Sequence, residues 1–264
     1  MDETPLRIVQ VSDIHLYGDK AHSLLGVNTQ ESFTALITHL KQDKKSDLIL
    51  LTGDLSQDGS KASYVYITDV LKELEVPVYY IPGNHDNLST MMEVYPRENI
   101  SQNKHIVLKN WHIILLNSQK DGCVEGYLAE TELAFLQKCL ETYPEHHAII
   151  AFHHQPILVG STWLDKLGLS NADDLWRILL RFPKVSAVLF GHVHQLHEGR
   201  KKHIKYFAAP SSCIQFKPNH AKFSLENLPP GYRWIELYEN GNLDTGIIRL
   251  KKYIGTFDAT ATGY

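Results

Sequence analysis

Sulfur is scarce in this chain: three cysteines and three methionines among 264 residues. Cys123, Cys139 and Cys213 form no C-x-x-C pair, which argues against a disulfide framework and against a thiolate metal site. Basic excess is also missing, since 26 Lys and Arg stand against 30 Asp and Glu for a formal net charge of −4. A nucleic-acid or membrane-surface binder would need a basic footprint, so neither partner is expected. No apolar run approaches the ~20 residues that span a bilayer. The start, Met-Asp-Glu-Thr-Pro, lacks the basic and apolar regions of a signal peptide. There is no G-x-S-x-G elbow, no P-loop, no internal repeat and no linker that marks a boundary. These absences, with 43% hydrophobic and 21% charged residues, lead to the expectation of one globular domain over residues 1–264 in a reducing, cytoplasmic setting.

Histidine, in contrast, is abundant, with 15 residues, and its placement is ordered. Five short apolar runs, residues 8–11, 48–51, 78–81, 148–152 and 185–190, have the length and composition of buried strands. They end respectively in Ser12-Asp13-Ile14-His15, Thr52-Gly53-Asp54, Pro82-Gly83-Asn84-His85-Asp86, His153-His154 and Gly191-His192-Val193-His194. Most of the segments between them are long enough for a crossover helix. Asn28, with Glu31 three residues on, has the form of a capping box, and Phe33, Leu36, Ile37 and Leu40 follow at helical spacing. Further helices are expected over 60–75, 131–142 and 171–180, and a short helix or irregular segment over 88–95. Residues 105–108 and 112–117 read as two strands joined at Lys109-Asn110. After a strand at 204–208, residues 232–238 and 245–250 read as a hairpin closed by Asn240-Gly241, which suits a type I′ turn.

Ligands of an open α/β sheet bind beyond the carboxyl ends of its strands. The expectation is therefore that Asp13, His15, Asp54, Asn84, His153, His192 and His194 meet at one edge of one sheet. Taken singly, each motif reads equally well as turn chemistry, because Gly, Asn and Asp favour turns. Their co-occurrence at five strand ends is what turn chemistry does not produce. An oxygen and imidazole shell suits Zn, Mn, Fe, Co or Ni. Seven donors exceed one tetrahedral ion and fit two ions that share a bridging carboxylate. Two such ions clamp a phosphoester and bring the pKa of a bound water to ~7, so no protein nucleophile is needed. His85 follows Asn84 and is a candidate general acid for the leaving alkoxide, with Asp58 or Asp86 as the carboxylate that keeps it protonated. Among the other histidines, His22, His197 and His220 are candidates to border the cleft.

The ordered set Asp13-x-His15, Gly53-Asp54, Gly83-Asn84-His85-Asp86, His153 and Gly191-His192-x-His194 resembles the calcineurin-like metallophosphoesterase superfamily over residues ~7 to ~194. The resemblance implies an α/β fold, a four-layer α/β/β/α sandwich of two mixed β-sheets flanked by helices. Its metal-site core would cover about 5–210, with a C-terminal substrate-side loop and hairpin over about 211–252. It implies that Asp13, His15, Asp54 and His194 hold one metal and that Asp54, Asn84, His153 and His192 hold the other, with Asp54 bridging. His15, Asp54, Asn84, His85 and His194 would border the substrate. Pro156 aligns with the family's H-H-x-P pattern and favours His153 over His154. Gly53 to Asp58, Trp163-Leu164-Asp165, Asn171-Ala172, Cys213 to Pro218 and Pro229 to Trp234 are also similar to bacterial class III cyclic-nucleotide phosphodiesterases of the CpdA type. That likeness implies hydrolysis of 3′,5′-cyclic AMP to 5′-AMP with iron or manganese as the usual metals, zinc and cobalt being compatible with the same donors. Broader action, on 2′,3′-cyclic nucleotides or glycerophosphodiesters, is the alternative. A binding scaffold without chemistry would be expected to lack a ligand or the Asn-His pair, and this chain keeps them all. Oligomeric state is not legible.

Overall fold

The computed structural model describes residues 4–43, 45–251 and 255–263. The first three residues of the acidic start, and the C-terminal segment at residue 252, lie outside the described residues. In chain order, β1 (Leu6–Val11) is followed by a small hairpin of β2 (Ser23–Leu24) and β3 (Val27–Asn28), then α1 (Thr29–Leu40), β4 (Leu48–Thr52), α2 (Lys61–Leu71) and β5 (Val78–Ile81). Next come α3 (Leu88–Val94), β6 (Ile100–Ser101), β7 (His105–Leu108), β8 (Trp111–Leu115), α4 (Glu130–Thr142) and β9 (His147–Ala151). The chain continues through α5 (Ala172–Leu179), β10 (Val185–Phe190), β11 (Glu198–Lys201), β12 (Ile204–Ala208), β13 (Gln215–Phe216), β14 (Leu225–Glu226), β15 (Gly231–Leu237) and β16 (Leu243–Arg249).

Two mixed six-stranded sheets form, in the orders β16-β15-β1-β4-β5-β6 and β11-β12-β10-β9-β8-β7. The strands linked by helices pair in parallel, and β15, β16, β7 and β11 pair antiparallel at the flanks. Alternation along β1 shows how the layers stack. Leu6 and Ile8 join the core that also holds Ile113, Ile149, Val188 and residues of α4 and α5, while Val9 and Val11 join a second core against α1 and α2. The result is helices, sheet, sheet, helices. The expectation of a single sheet edge is thereby corrected: β1, β4 and β5 belong to one sheet, β9 and β10 to the other. Apolar runs buried on both faces carry no mark of which sheet they join. Their carboxyl ends still converge, at one end of the sandwich.

Local expectations hold with instructive exceptions. Asn28 caps α1, its side chain accepting from the Glu31 N–H at 3.0 Å. The helix expected over 60–75 is α2 plus a 3₁₀ turn, Lys72–Leu74, and ends at Glu75 with φ 53°. The Asn240-Gly241 turn is not type I′. Gly241 has φ 84° and its N–H donates to Tyr238 O, but Asn240 is not left-handed, which is the geometry of a longer loop ending in a glycine bulge. The edge strand β11, Glu-Gly-Arg-Lys, has no apolar alternation to betray it; charged residues are how exposed edges resist unwanted pairing.

A polar clamp joins the sheets. Arg233 of β15 is fully buried; its Nε donates to Ala208 O of β12, and its terminal nitrogens reach Thr245 Oγ1 and Glu198 Oε2. Gln10 of β1 likewise donates from Nε2 to Thr52 Oγ1 and to Phe190 O of β10. Arg233→Met keeps the volume and removes the donors, and is expected to lower unfolding stability by about 2 kcal/mol. The urea midpoint measures this, and an unchanged midpoint would show that the clamp adds no net stability.

Candidate metal centre

The backbone at the strand ends is bent into conformations that point polar side chains inward. Asp13, His15, Asp54, His192 and His194 all have positive φ, between 45° and 66°, so a majority of the motif residues sit in the left-handed region. Each such non-glycine residue costs roughly 1–3 kcal/mol and persists only where the surroundings over-determine it. Here the loops are tied to one another. Asp13 N donates to Gly53 O at 3.0 Å, and Ile14 N and His15 N both donate to Asp54 O at 2.8 and 2.9 Å. His192 N donates to Asp13 Oδ1 at 3.0 Å. Gly53, with φ 92°, also leaves the space into which a Cβ would drive against the His153 ring, and a Cβ on Gly83 would collide with Asp54.

Asp13, His15, Asp54 and His194 bring one donor atom each to within 4.8 Å of one another, and all four are buried. The Nε2 atoms of His15 and His194 are 3.1 Å apart, and His194 Nε2 is 3.3 Å from Asp13 Oδ1. Asp54 Oδ2 lies 3.8 Å from His15 Nε2 and 3.2 Å from His153 Nε2, and so faces both sides of the site. The far nitrogens fix the tautomers. Nδ1 of His153 faces Thr52 O at 2.8 Å, Nδ1 of His194 faces Ile214 O at 2.9 Å, and Nδ1 of His15 faces Gln57 Oε1 at 2.6 Å. With a proton on each Nδ1, each Nε2 presents a lone pair, the arrangement that outer-shell partners impose on metal-binding histidines.

His153, His154 and His192 form a second group by proximity. Hydrogen bonding separates its members. His154 is engaged at both ring nitrogens, by Ser118 Oγ at 2.8 Å and Val124 O at 3.1 Å. His192 is bonded at neither ring nitrogen among the described residues, Asn84 Oδ1 is likewise without a partner, and Asp54 Oδ2 and His153 Nε2 face each other at 3.2 Å, outside hydrogen-bond geometry, all of them buried. Buried polar atoms ordinarily have partners. A cluster of orphaned lone pairs, all on residues singled out as ligands, fits cations between them.

The electrostatics agree. Burial alone would raise the Asp54 carboxyl, yet His153 and then His85 hold it well below the usual carboxylate range. Burial would lower His153, but Asp54 overrides it and carries the imidazole up to about 9. Burial pushes His15 down to about 3 against the pull of Asp54, and pushes His192 well below its usual value together with His154 and His153.

His85 is half-buried, its N–H donates to Asp54 Oδ1 at 2.9 Å, and its ring stands edge-on to His15 at 5.0 Å. The Asp54 carboxylate thus lies against the His85 backbone. Asp58 is exposed and turned away, its oxygens accepting from Gly18 N, Ser56 Oγ and Ser60 N. Asp86 anchors the loop, accepting from Leu55 N, Ser56 N, Gly83 N and the Tyr64 hydroxyl. Burial and then Asp54 push its carboxyl up to about 7 despite those donors. A cavity of about 560 Å³ opens beside Asn84, His85 and His192, and none of His22, His197 or His220 lines it. Gln57, Ser118 and the stacked Phe216 on His194 were not singled out from sequence for any role; only the contacts assign them one.

Residues 6–196 match the family model described as calcineurin-like phosphoesterase. The chain is similar to the 3′,5′-cyclic adenosine monophosphate phosphodiesterase CpdA of Vibrio vulnificus, 38% identical over 100% of this chain and 97% of that protein. It is similar to the CpdA of Escherichia coli, 37% identical over 99% and 96%, and to a 3′,5′-cyclic-nucleotide phosphodiesterase of Nostoc, 37% identical over 94% of each. In fold it is similar to a dimetal phosphatase from Danio rerio, with a TM-score of 0.66 at 10% identity over 90% of this chain and 94% of that one. Gln57→Leu removes the acceptor that orients His15 and is expected to weaken divalent-metal affinity by roughly 10–100-fold. Competition with a chelator reads this out, and unchanged affinity would deny Gln57 that role.

Proposed function

The chain belongs to the calcineurin-like phosphoesterase family, and from that premise we propose that it hydrolyses 3′,5′-cyclic AMP to 5′-AMP as a dinuclear metal-dependent phosphodiesterase. The cluster of orphaned buried donors at Asp54, Asn84, His153 and His192 carries this reading, beside the compact group of Asp13, His15, Asp54 and His194. Asp13, His15, Asp54 and His194 would hold one ion, and Asp54, Asn84, His153 and His192 the other. Asp54 would serve both ions, because its carboxylate faces both histidine groups. The double engagement of His154 supports His153 as the ligand. When bound, the ions supply Lewis acidity that neutralises phosphate charge and generates the water-derived nucleophile at neutral pH. Iron or manganese suits this oxygen and imidazole shell.

The protein's own groups do the rest. Forming 5′-AMP breaks the bond between phosphorus and the 3′ oxygen, which leaves as an alkoxide in need of a proton. His85 borders the cavity and is not needed as a ligand, so its imidazole donates that proton. The His85 backbone N–H donates to Asp54 Oδ1 at 2.9 Å, which holds the residue beside the site. Asp58, expected as a partner of His85, instead holds the Gly18 loop against the start of α2. The three cysteines are free thiols, and no helix among the described residues is long and apolar enough to cross a membrane. Both fit the proposed cytoplasmic setting. A cavity of about 790 Å³ that also borders Asn84 and His85, and is lined by Gln119 and Lys120 among others, favours a second reading. It has room for the second substituent of an acyclic phosphodiester, and so for broader specificity.

The direct test is hydrolysis of 3′,5′-cyclic AMP by Mn- or Fe-loaded protein, beside 2′,3′-cyclic AMP and bis(p-nitrophenyl) phosphate, with Asn84→Ala as control. Preferential release of 5′-AMP that vanishes in the control is expected; turnover of only the other two substrates would discard cyclic AMP. Asp54→Ala is expected to lose both metals by elemental analysis, and retention of two ions would refute the bridge. His85→Ala is expected to keep its metals and lose about 10²–10⁴-fold in kcat on cyclic AMP, with a smaller loss on the p-nitrophenyl ester, whose leaving group needs no proton. Equal losses on both would remove His85 as the acid.

A further inference from the structure

One wall of the 560 Å³ cavity is not used by the phosphate chemistry. It is built from three rings, each edge-on to the other two. Trp163 and Phe216 have centroids 5.1 Å apart at 71°, Trp163 and Phe223 are 5.3 Å apart at 67°, and Phe216 and Phe223 are 5.4 Å apart at 66°. Aromatic quadrupoles favour these separations, so each ring fixes the orientation of its neighbours. The wall is also keyed to the metal centre. Phe216 lies flat on the His194 imidazole, 4.1 Å away at 3°, and its N–H donates to His194 O at 2.9 Å. Phe216 is buried and has no face to offer, whereas Trp163 and Phe223 are half-buried. Leu164, Leu167 and Val124 complete an apolar lining, and Lys222 stands among them.

Two features point to a heteroaromatic occupant. The half-buried Trp163 and Phe223 rings offer apolar surface at a fixed offset from the residues assigned to the phosphate. The indole N–H of Trp163 is buried without a hydrogen-bond partner among the described residues. An alkyl or lipid chain would fill the space and leave that donor unpaired, an expensive outcome in an apolar setting. A purine has both a π face and ring-nitrogen acceptors. A cavity of this volume also lies within the range of small-molecule sites.

We propose that this cavity is the nucleobase subsite, in which Trp163 and Phe223 pack against a purine and the Trp163 N–H satisfies one of its ring nitrogens. The identity of the substrate rests on the cyclic AMP reading above; the subsite is testable apart from it. Trp163 and Phe223 are specificity residues and take no part in bond breaking.

The experiment is calorimetric binding of 5′-AMP and of inorganic phosphate to the metal-loaded protein, in the wild type, Trp163→Ala, Trp163→Phe and Phe223→Ala. Phosphate reports on the metal centre alone, and 5′-AMP on that centre plus the base. Trp163→Ala and Phe223→Ala are expected to weaken 5′-AMP by roughly tenfold, the scale of one base stacked on an aromatic side chain, and to leave phosphate affinity unchanged. Trp163→Phe keeps a ring and loses the N–H, so its loss is expected to be intermediate. Unchanged 5′-AMP affinity in both alanine variants would overturn the subsite. Equal losses for 5′-AMP and phosphate would also overturn it, because the wall would then act only by supporting His194. A selective loss for 5′-AMP in a wild-type background that does not hydrolyse cyclic AMP would uphold the subsite and refute the substrate instead.

Discussion

The Asp54 carboxylate lies in the seam between two sheets, and the neighbouring structure answers to its charge. Burying a carboxylate without compensation is costly, and so is burying two. Asp13 and Asp54 are both buried, and their ion-pair partners among the described residues are imidazoles, never lysine or arginine. A fixed guanidinium would end the matter and leave an inert salt bridge. Imidazoles leave it open, because their charge is conditional. In the protein alone a proton on His153 compensates Asp54. A divalent cation at the same place does so more strongly and also satisfies the lone pairs that a proton leaves unpaired. The strain at Asp13, His15, Asp54, His192 and His194 is what such a site requires, since extended or helical backbone would carry these side chains elsewhere.

Holding strained loops from two separate sheets in register falls to the interface between the sheets. Gln10 reaches from β1 to Phe190 O, one residue before Gly191. The Ser211 hydroxyl donates to Asp13 O, and Ser212 N donates to Ser12 O. Arg233 fastens β15 to β12 further along the same seam. The C-terminal segment thus braces the loop that carries Asp13 and His15. A mixed sheet made this possible: β15 pairs antiparallel with β1 and so completes the sheet that carries Asp13.

Much of this was legible before any coordinates. Apolar runs with ligands at their carboxyl ends marked five strands and the direction in which each delivers its side chain. What stayed hidden was relational. β4 and β9 are both apolar and buried almost continuously, so nothing in either run assigned them to different sheets. Asp58 lies four residues from Asp54 and looked like a partner for His85, but the turn after β4 points it to Gly18. Asn240-Gly241 satisfied a two-residue hairpin rule in a loop that is longer. His153 and His154 are chemically alike and adjacent; Ser118 and Val124, more than 25 residues away in sequence, are what engage the second of them.

A division of labour follows from where the two kinds of surface lie. On the proposed reading, the buried donors would recognise a phosphodiester through charge and geometry that any ester of phosphoric acid shares, and so would set reactivity and not selectivity. Selectivity needs contacts to what differs between esters, and the metal-side residues offer none. The aromatic wall is rigid because its rings brace one another, and it is aligned with the centre because Phe216 stacks on His194. A ring that packs against a metal-facing histidine gives any occupant of the cavity a defined position relative to the phosphate. Binding energy from the non-reacting part of a substrate can then be used to orient the reacting bond, which accelerates the reaction only when the two are held in fixed relation. The second cavity beside His85 has no such wall; its lining includes Gln119, Lys120 and Asp121, which favour hydrated groups. The leaving oxygen of a cyclic diester stays tethered to the same sugar as the base. On the proposed reading, anchoring the base on one side would therefore also limit where that oxygen can stand for protonation by His85.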